Sequence, residues 1–195
     1  MKRSDELAIK VFIDQAHNFP GFHDTGCEGF GMVEGEITFG VGICLAAIFN
    51  ADPRFEVRLS RPNQESVIGV DNFSSIAERV NMANAWPADY FLILDCNDSC
   101  YPEENGSTVY VLKEFTRASW MGQNILNGIV DSVGTKPNGV RADPYNYSLR
   151  NAKMDTNLIK LGYITNKADA QKLRDEQPKF AAGIYIGFLR FLGYA

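Results

Sequence analysis

The sequence predicts an α/β chain, a three-layer αβα sandwich whose mostly parallel, twisted sheet carries helices on both faces. Apolar, β-rich runs recur at 9–13, 55–59, 90–94, 108–112 and 158–164, each of strand length. Between and after them lie stretches with helical spacing, at 34–49, 74–85, 113–133, 167–176 and 178–192. Strand and helix in alternation imply parallel strands joined by crossovers that cover the sheet. The 195 residues are 45% hydrophobic, enough for a sizeable core, and no Pro/Gly/Ser-rich linker or charge run divides them. Residues 1–195 therefore read as a single domain.

The first strand runs into Asp14-Gln15-Ala16-His17-Asn18, and a glycine-rich loop then leads to Glu34, where the first helix begins. A histidine at a strand end and a glutamate at the next helix start can converge on one point, the geometry of a metal-ligand pair. The loop invites a dinucleotide reading, but Glu34 counts against it, standing after Gly29-Phe30-Gly31 where a third glycine is needed. A carboxylate there repels phosphate, although it suits the helix dipole. The second helix has Asn72 or Ser74 as a candidate cap, and the fourth has Asn166. In such a sheet the ligand crevice lies beyond the carboxyl ends of the strands, where His17, Asp95 and the loops after Arg61 and Asn97 fall. No internal repeat or low-complexity segment interrupts this order.

Charge narrows the function. With 19 Lys+Arg against 24 Asp+Glu, a net of −5, the chain lacks the basic excess that a phosphate backbone calls for, so no nucleic-acid partner is expected. No apolar run approaches membrane-spanning length, so no membrane partner is expected either. The opening Met1-Lys2-Arg3-Ser4-Asp5-Glu6 has two basic residues, but acids interrupt it and no signal core follows. That fits a released or intracellular protein, or a domain separated from its leader. Cys27, Cys44, Cys96 and Cys100 lack CxxC spacing and disulfide-scaffold density, and are expected as free thiols.

Several motifs occur in one order along nearly the whole chain. They are Asp14-Gln15-Ala16-His17, Asp24-Thr25-Gly26, Gly31-Met32-Val33-Glu34, Leu59-Ser60-Arg61, Arg79-Val80-Asn81-Met82-Ala83-Asn84, Ala88-Asp89-Tyr90-Phe91 and Lys160-Leu161-Gly162-Tyr163-Ile164-Thr165-Asn166. In this the chain resembles the zinc-dependent N-acetylmuramoyl-L-alanine amidases of the amidase-3 type, which cut the amide between muramic acid and the first alanine of the peptidoglycan stem. The resemblance implies zinc held by a histidine, a glutamate and a second histidine, with a glutamate near the metal as general base. By position the first histidine is His17 and the ligand glutamate is Glu34. The second histidine's place, within Ile93-Leu94-Asp95-Cys96-Asn97, is taken by Asp95, and the general base's place by Lys160.

Those two replacements differ in consequence. Asp95 can still ligate a divalent ion through oxygen, with shorter reach than an imidazole. An ammonium at Lys160, with an ordinary pKa of about 10.4, cannot take a proton from metal-bound water at neutral pH, and it repels a dication. Neutral His17, two carboxylates and one ammonium sum to −1, and protonating His17 brings the sum to zero without any metal. Lys160 is therefore expected to take the electrostatic role of the metal by pairing with Glu34 or Asp95.

The expected function is an amidase-like domain of cell-wall metabolism, catalytically impaired, that retains a peptidoglycan stem peptide or a protein as partner and holds zinc weakly or not at all. The alternative is an active metal-dependent amidase with Asp95 as third ligand and Glu28 or Asp24 as base. Arg61 and Arg79 are candidates for binding stem-peptide carboxylates, although Arg79 can equally bridge helix to sheet. His23 is expected to be an exposed loop side chain, and Cys96 to face away from Asp95. Tyr101, Tyr145 and Tyr147 are candidates to line a groove for glycan or peptide.

Overall fold

The computed structural model describes residues 8–195, so the opening stretch read for a secretion signal lies outside the described residues. The chain runs through β1 (Ile9–Gln15), the hairpin of β2 (Glu28–Gly29) and β3 (Met32–Val33), α1 (Glu34–Asn50), β4 (Phe55–Leu59), α2 (Asn72–Ala85) and β5 (Tyr90–Asn97). It continues through β6 (Ser107–Val111), α3 (Arg117–Val133), β7 (Pro137–Ala142), α4 (Tyr147–Asn151), β8 (Asp155–Tyr163), α5 (Lys167–Asp175) and α6 (Gln177–Leu192).

The main sheet has the order β4-β1-β5-β8-β6-β7. β4, β1, β5 and β8 pair in parallel, while β6 runs antiparallel to β8 and carries β7 parallel to itself. Because the central strands are covered on both faces, β1 and β5 read as almost unbroken apolar runs. On one face Val11, Ile13, Leu92 and Leu94 pack with Leu45 of α1, Ile125 of α3 and Phe188 of α6. On the other Phe12, Phe91, Ile93 and Leu158 pack with Val80 of α2 and Leu149 of α4. These are the three layers, and at the sheet's centre β1, β5 and β8 all point their carboxyl ends the same way.

Several elements depart from the sequence expectation. β7 contains Pro137 and Gly139 and lies half-exposed at the sheet edge, so it has no apolar run to betray it. The short α4 and the two-residue strands of the hairpin carry too few residues for a period. The N-cap of α2 is Asp71, not Asn72 or Ser74: its side chain accepts from Ser74 N, while Ser74 Oγ accepts from Asp71 N, a capping box. α3 starts four residues later than the spacing suggests, because Phe115 adopts φ 57 and Thr116 caps the helix with Ser119. Asn166 caps α5 as expected, accepting from Ala168 N and Asp169 N. Among the described residues no helix is long and apolar enough to cross a membrane.

Candidate functional site

At the end of β1 the chain turns sharply at His17, whose φ is 68, a left-handed conformation that costs a residue with a Cβ. Two contacts hold it there: Arg79 Nη2 donates to His17 O at 2.7 Å, and Asn18 N donates to Asp24 O at 2.6 Å. The turn throws the imidazole over the carboxyl ends of β1 and β5. Its Nδ1 lies 2.7 Å from Asp24 Oδ1, and its Nε2 faces Glu34 Oε2 at 3.3 Å and Asp95 Oδ1 at 3.6 Å. Asp24 therefore orients the ring from behind, as a carboxylate does for a metal-ligating histidine.

Glu34 opens α1, where a carboxylate meets the positive end of the helix dipole. It is buried, and its two oxygens accept backbone N–H groups from Cys27 at 3.0 Å and Cys96 at 2.5 Å. One side chain thus ties the glycine-rich loop to the end of β5. Gly26 makes room for it: with φ +79, an added Cβ would lie 2.6 Å from Glu34 Oε2 and 2.7 Å from His17 Cδ2.

Asp95 and Lys160 are register partners on adjacent parallel strands, so their side chains leave the same face together. Lys160 Nζ lies 2.7 Å from Asp95 Oδ2 and donates to Cys96 O at 2.7 Å. The expected pairing of the ammonium falls on Asp95, with Glu34 given over to the two backbone donors. Burial works against charge on Asp95, yet Lys160 and the hydrogen bonds from Glu34 and His17 hold it well below the usual carboxylate range. The same pairing, against burial, raises Lys160 above its ordinary value. Burial and the Asp95 charge push Glu34 up. Burial also opposes charge on His17, but Asp24, Asp95 and Glu34 together push its pKa up to about 12.

His17, Glu34 and Asp95 each offer a ligand atom within 4.8 Å of the others. The donor types suit a divalent ion, and zinc bonds of about 2.0–2.2 Å in a tetrahedron place ligand atoms about 3.3–3.6 Å apart, close to the two separations from His17 Nε2. The three residues fit a metal in type and spacing. Lys160 is the element foreign to a hydrolytic centre, because it engages one oxygen of Asp95 and offers no lone pair.

Arg61 and Arg79, candidates for binding stem-peptide carboxylates, are buried and committed elsewhere. Arg61 donates to Gln15 O, Gly35 O and Thr38 Oγ1, bracing β1 against α1. Arg79 pairs with Asp14 at 2.7 Å and donates to Gln15 O and His17 O, so it fixes the turn that aims the imidazole. Both are buried and their engaged donors go to the protein's own backbone carbonyls and side chains, which corrects the substrate-binding expectation for Arg61 and leaves Arg79 as the bridge from helix to sheet. His23 is also corrected: half-buried, its Nε2 sits 3.2 Å from Ile68 O and ties the loop to the segment before α2. Cys96 faces the core away from Asp95, as alternation requires. Asp24 is spent on His17 and Glu28 is exposed on the hairpin, so neither is poised as a base. Tyr101 and Tyr145 are exposed, whereas Tyr147 lines a cavity of about 120 Å³ beside His17 and Asp95.

The orienting part of Asp24 and the steric part of Gly26 were not assigned from sequence. Both sit in Asp24-Thr25-Gly26, and a glycine two residues after an acid was the only signal available.

The family model described as N-acetylmuramoyl-L-alanine amidase matches residues 11–190. The chain is similar to N-acetylmuramoyl-L-alanine amidase LytC of Bacillus subtilis (strain 168), 30% identical over 185 residues that cover 93% of this chain and 35% of the relative. It is likewise 30% identical over 175 residues to N-acetylmuramoyl-L-alanine amidase CwlM of Bacillus licheniformis, covering 85% of this chain and 61% of the relative. The chain thus spans about a third of the first relative and less than two thirds of the second. Among solved structures, N-acetylmuramoyl-L-alanine amidase AmiC2 of Nostoc punctiforme superposes with a TM-score of 0.81 at 26% identity, covering 95% of this chain and 97% of that one.

Proposed function

The chain belongs to the N-acetylmuramoyl-L-alanine amidase family, and we propose that it is a cell-wall domain that engages peptidoglycan stem peptides while hydrolysing them very slowly or not at all. The observation that carries this reading is the ammonium of Lys160, 2.7 Å from Asp95 Oδ2, at the place where the family's general base is implied. A protonated amine donates hydrogen bonds and accepts no proton, so water beside it has no group to deprotonate it. Loss of a positioned proton acceptor costs about 10²–10⁴ in rate.

A divalent ion, when bound, would rest on His17, Glu34 and Asp95 and supply Lewis-acid activation of water and of a carbonyl. The chain's own residues do the rest. Asp24 holds the His17 ring, Arg79 holds its backbone, and Glu34 is locked by two N–H groups. Asp95 is divided between His17 and Lys160, so zinc affinity is weak. In the metal-free protein the ammonium offsets the charge that a cation otherwise neutralises.

A second reading, an active amidase with variant ligands, is favoured by the separations of 3.3 and 3.6 Å from His17 Nε2, which suit a tetrahedral ion. It lacks a base: Asp24 is engaged by His17. Metal content of protein purified without chelators, together with release of stem peptide from purified muropeptides, separates the two readings. Substoichiometric zinc and no release are expected. Robust zinc-dependent release that His17→Ala abolishes would establish the active enzyme instead.

A further inference from the structure

The main sheet ends on β7 at one edge and on β4 at the other, and the two edges are built differently. β7 carries Pro137 and Gly139, and the register between it and β6 shifts between Ser107 and Val109, features that keep a further strand from adding. β4, Phe55-Glu56-Val57-Arg58-Leu59, contains neither residue type and pairs with β1 in unbroken register. Ile9 N donates to Arg54 O and Ser60 N donates to Ile13 O, so the even-numbered residues of β4 turn their backbone groups towards β1. By alternation Phe55, Val57 and Leu59 turn theirs to the open edge. Phe55 N is held there by Asp52 O, which leaves Phe55 O and both groups of Val57 and Leu59 without a strand partner among the described residues. The side chains alternate too: Phe55, Val57 and Leu59 join the core under α1, while Glu56 and Arg58 are exposed on the other face. Among the described residues neither Glu56 nor Arg58 makes an ion pair.

We propose that β4 is the seat of a twofold contact between two copies of this chain, each edge pairing antiparallel with the other about Val57. The strand is its own complement. With Val57 opposite Val57 of the second copy, Phe55 meets Leu59 and Glu56 meets Arg58, each pair occurring twice. The two Val57 residues exchange both backbone hydrogen bonds, and Leu59 N donates to Phe55 O across the axis. Glu56 and Arg58 then fall in the non-hydrogen-bonded pairs, where side chains lie closest. A two-residue slip sets Glu56 against Glu56 or Arg58 against Arg58, so charge fixes the register. α1 covers the same face of β4, with the ring of Phe49 5.0 Å from that of Phe55 between centroids, and it carries no charged side chain after Glu36. Phe39 lies 5.4 Å from the guanidinium of Arg61 just beyond β4, and Ile43 and Asn50 follow on its flank at helical spacing. The twofold brings this uncharged flank against its copy, covering Ile43, which is 37% exposed in the single chain. Because the strands run antiparallel across the axis, the carboxyl ends of β1 and β5 in the two copies point opposite ways, and both His17 clusters stay clear of the contact. The contact is independent of the cell-wall reading.

Sedimentation equilibrium of the full chain tests the contact. Wild type is expected to form a dimer whose share rises with concentration. Arg58→Glu and Glu56→Arg each set like charges opposite one another in both symmetry-related pairs, and each is expected to weaken the dimer at least about tenfold. Mixed one to one, the two variants should pair with each other as tightly as wild type does, and the double exchange Glu56→Arg with Arg58→Glu should dimerise by itself. Both positions are exposed, so the fold is expected to survive these changes. Hydrogen exchange on wild type needs no variant: the amides of Val57 and Leu59 should become protected as the dimer forms. A wild-type chain that stays monomeric, single variants that dimerise as wild type does, a mixture that fails to pair, or Val57 and Leu59 amides that exchange as freely in the dimer as in the monomer would each overturn the proposal.

Discussion

Lys160 Nζ and Asp95 Oδ2 are 2.7 Å apart across one pair of parallel strands, so the site contains its own cation on the same face as its third carboxylate. Removing that cation leaves Asp95 with neutral or shared partners, His17, Glu34 and the Cys96 N–H, and no fixed ammonium. Lys160→Ala is therefore expected to lower stability by about 2–3 kcal/mol, less than for a fully isolated buried charge. Urea denaturation of chelator-treated protein measures it, and an unchanged midpoint would show that the pair contributes nothing.

Restoring the family's implied pattern should convert the site. The double variant Asp95→His with Lys160→Glu is expected to bind zinc at one ion per chain and at least about 100-fold tighter than wild type, because a shared carboxylate becomes an imidazole and the repulsion is removed. Isothermal titration with zinc decides this. Equal affinity in wild type and double variant would remove the basis for calling Lys160 a substitute for metal.

In that same double variant, Asp24→Asn should weaken zinc by about 10–100-fold while leaving the fold intact, since Asp24 Oδ1 fixes the His17 ring through Nδ1 at 2.7 Å. Comparison of zinc affinity with the unfolding midpoint separates orientation from stability. A parallel fall in both would reduce Asp24 to a loop support.

The protonation of His17 links stability to pH. In chelator-treated protein its pKa rises from 6.5 to about 12 because, against burial, Asp24, Asp95 and Glu34 favour the imidazolium. A raised folded-state pKa stabilises fully below about 6.5, and the contribution drains away as pH climbs towards about 12, at up to about 1.4 kcal/mol per unit. The stability difference between wild type and His17→Gln should thus shrink between about pH 6 and about pH 9. A difference that grows over that range would mean the ring is neutral in the folded state.

Gly26→Ala combines a left-handed backbone with contacts under 3 Å to both Glu34 and His17. A loss of about 1–3 kcal/mol is expected, with the His17 ring signals displaced by NMR. Wild-type stability together with an unmoved His17 would show that the loop yields freely.

How much of this was legible in the sequence depends on what each residue signals. The apolar runs of β1 and β5 announce themselves because burial on both faces leaves few polar interruptions, Lys10 alone breaking the run 9–13, and Asn166 reads as a cap because helix starts need an acceptor. β7 was missed because an edge strand with Pro137 and Gly139 looks like a turn. The meeting of His17, Glu34, Asp95 and Lys160 was readable through strand ends and the family pattern. The commitments of Arg61 and Arg79 were not, since a guanidinium suited to a carboxylate ligand is equally suited to backbone carbonyls, and only burial tells them apart.

The cross-strand placement of Asp95 and Lys160 also bears on how such a site can arise. Starting from the family's implied histidine and glutamate, changing the first alone sets two carboxylates against each other, and changing the second alone sets an ammonium against an imidazole. Either single step is penalised, whereas the exchanged pair is self-neutral. Descent into the Asp–Lys state therefore crosses a shallow valley, and return crosses it again. Positions 95 and 160 should be inherited as a unit, with mixed pairs rare among related chains, while Glu34, pinned by two backbone N–H groups, stays fixed on both sides of the divide.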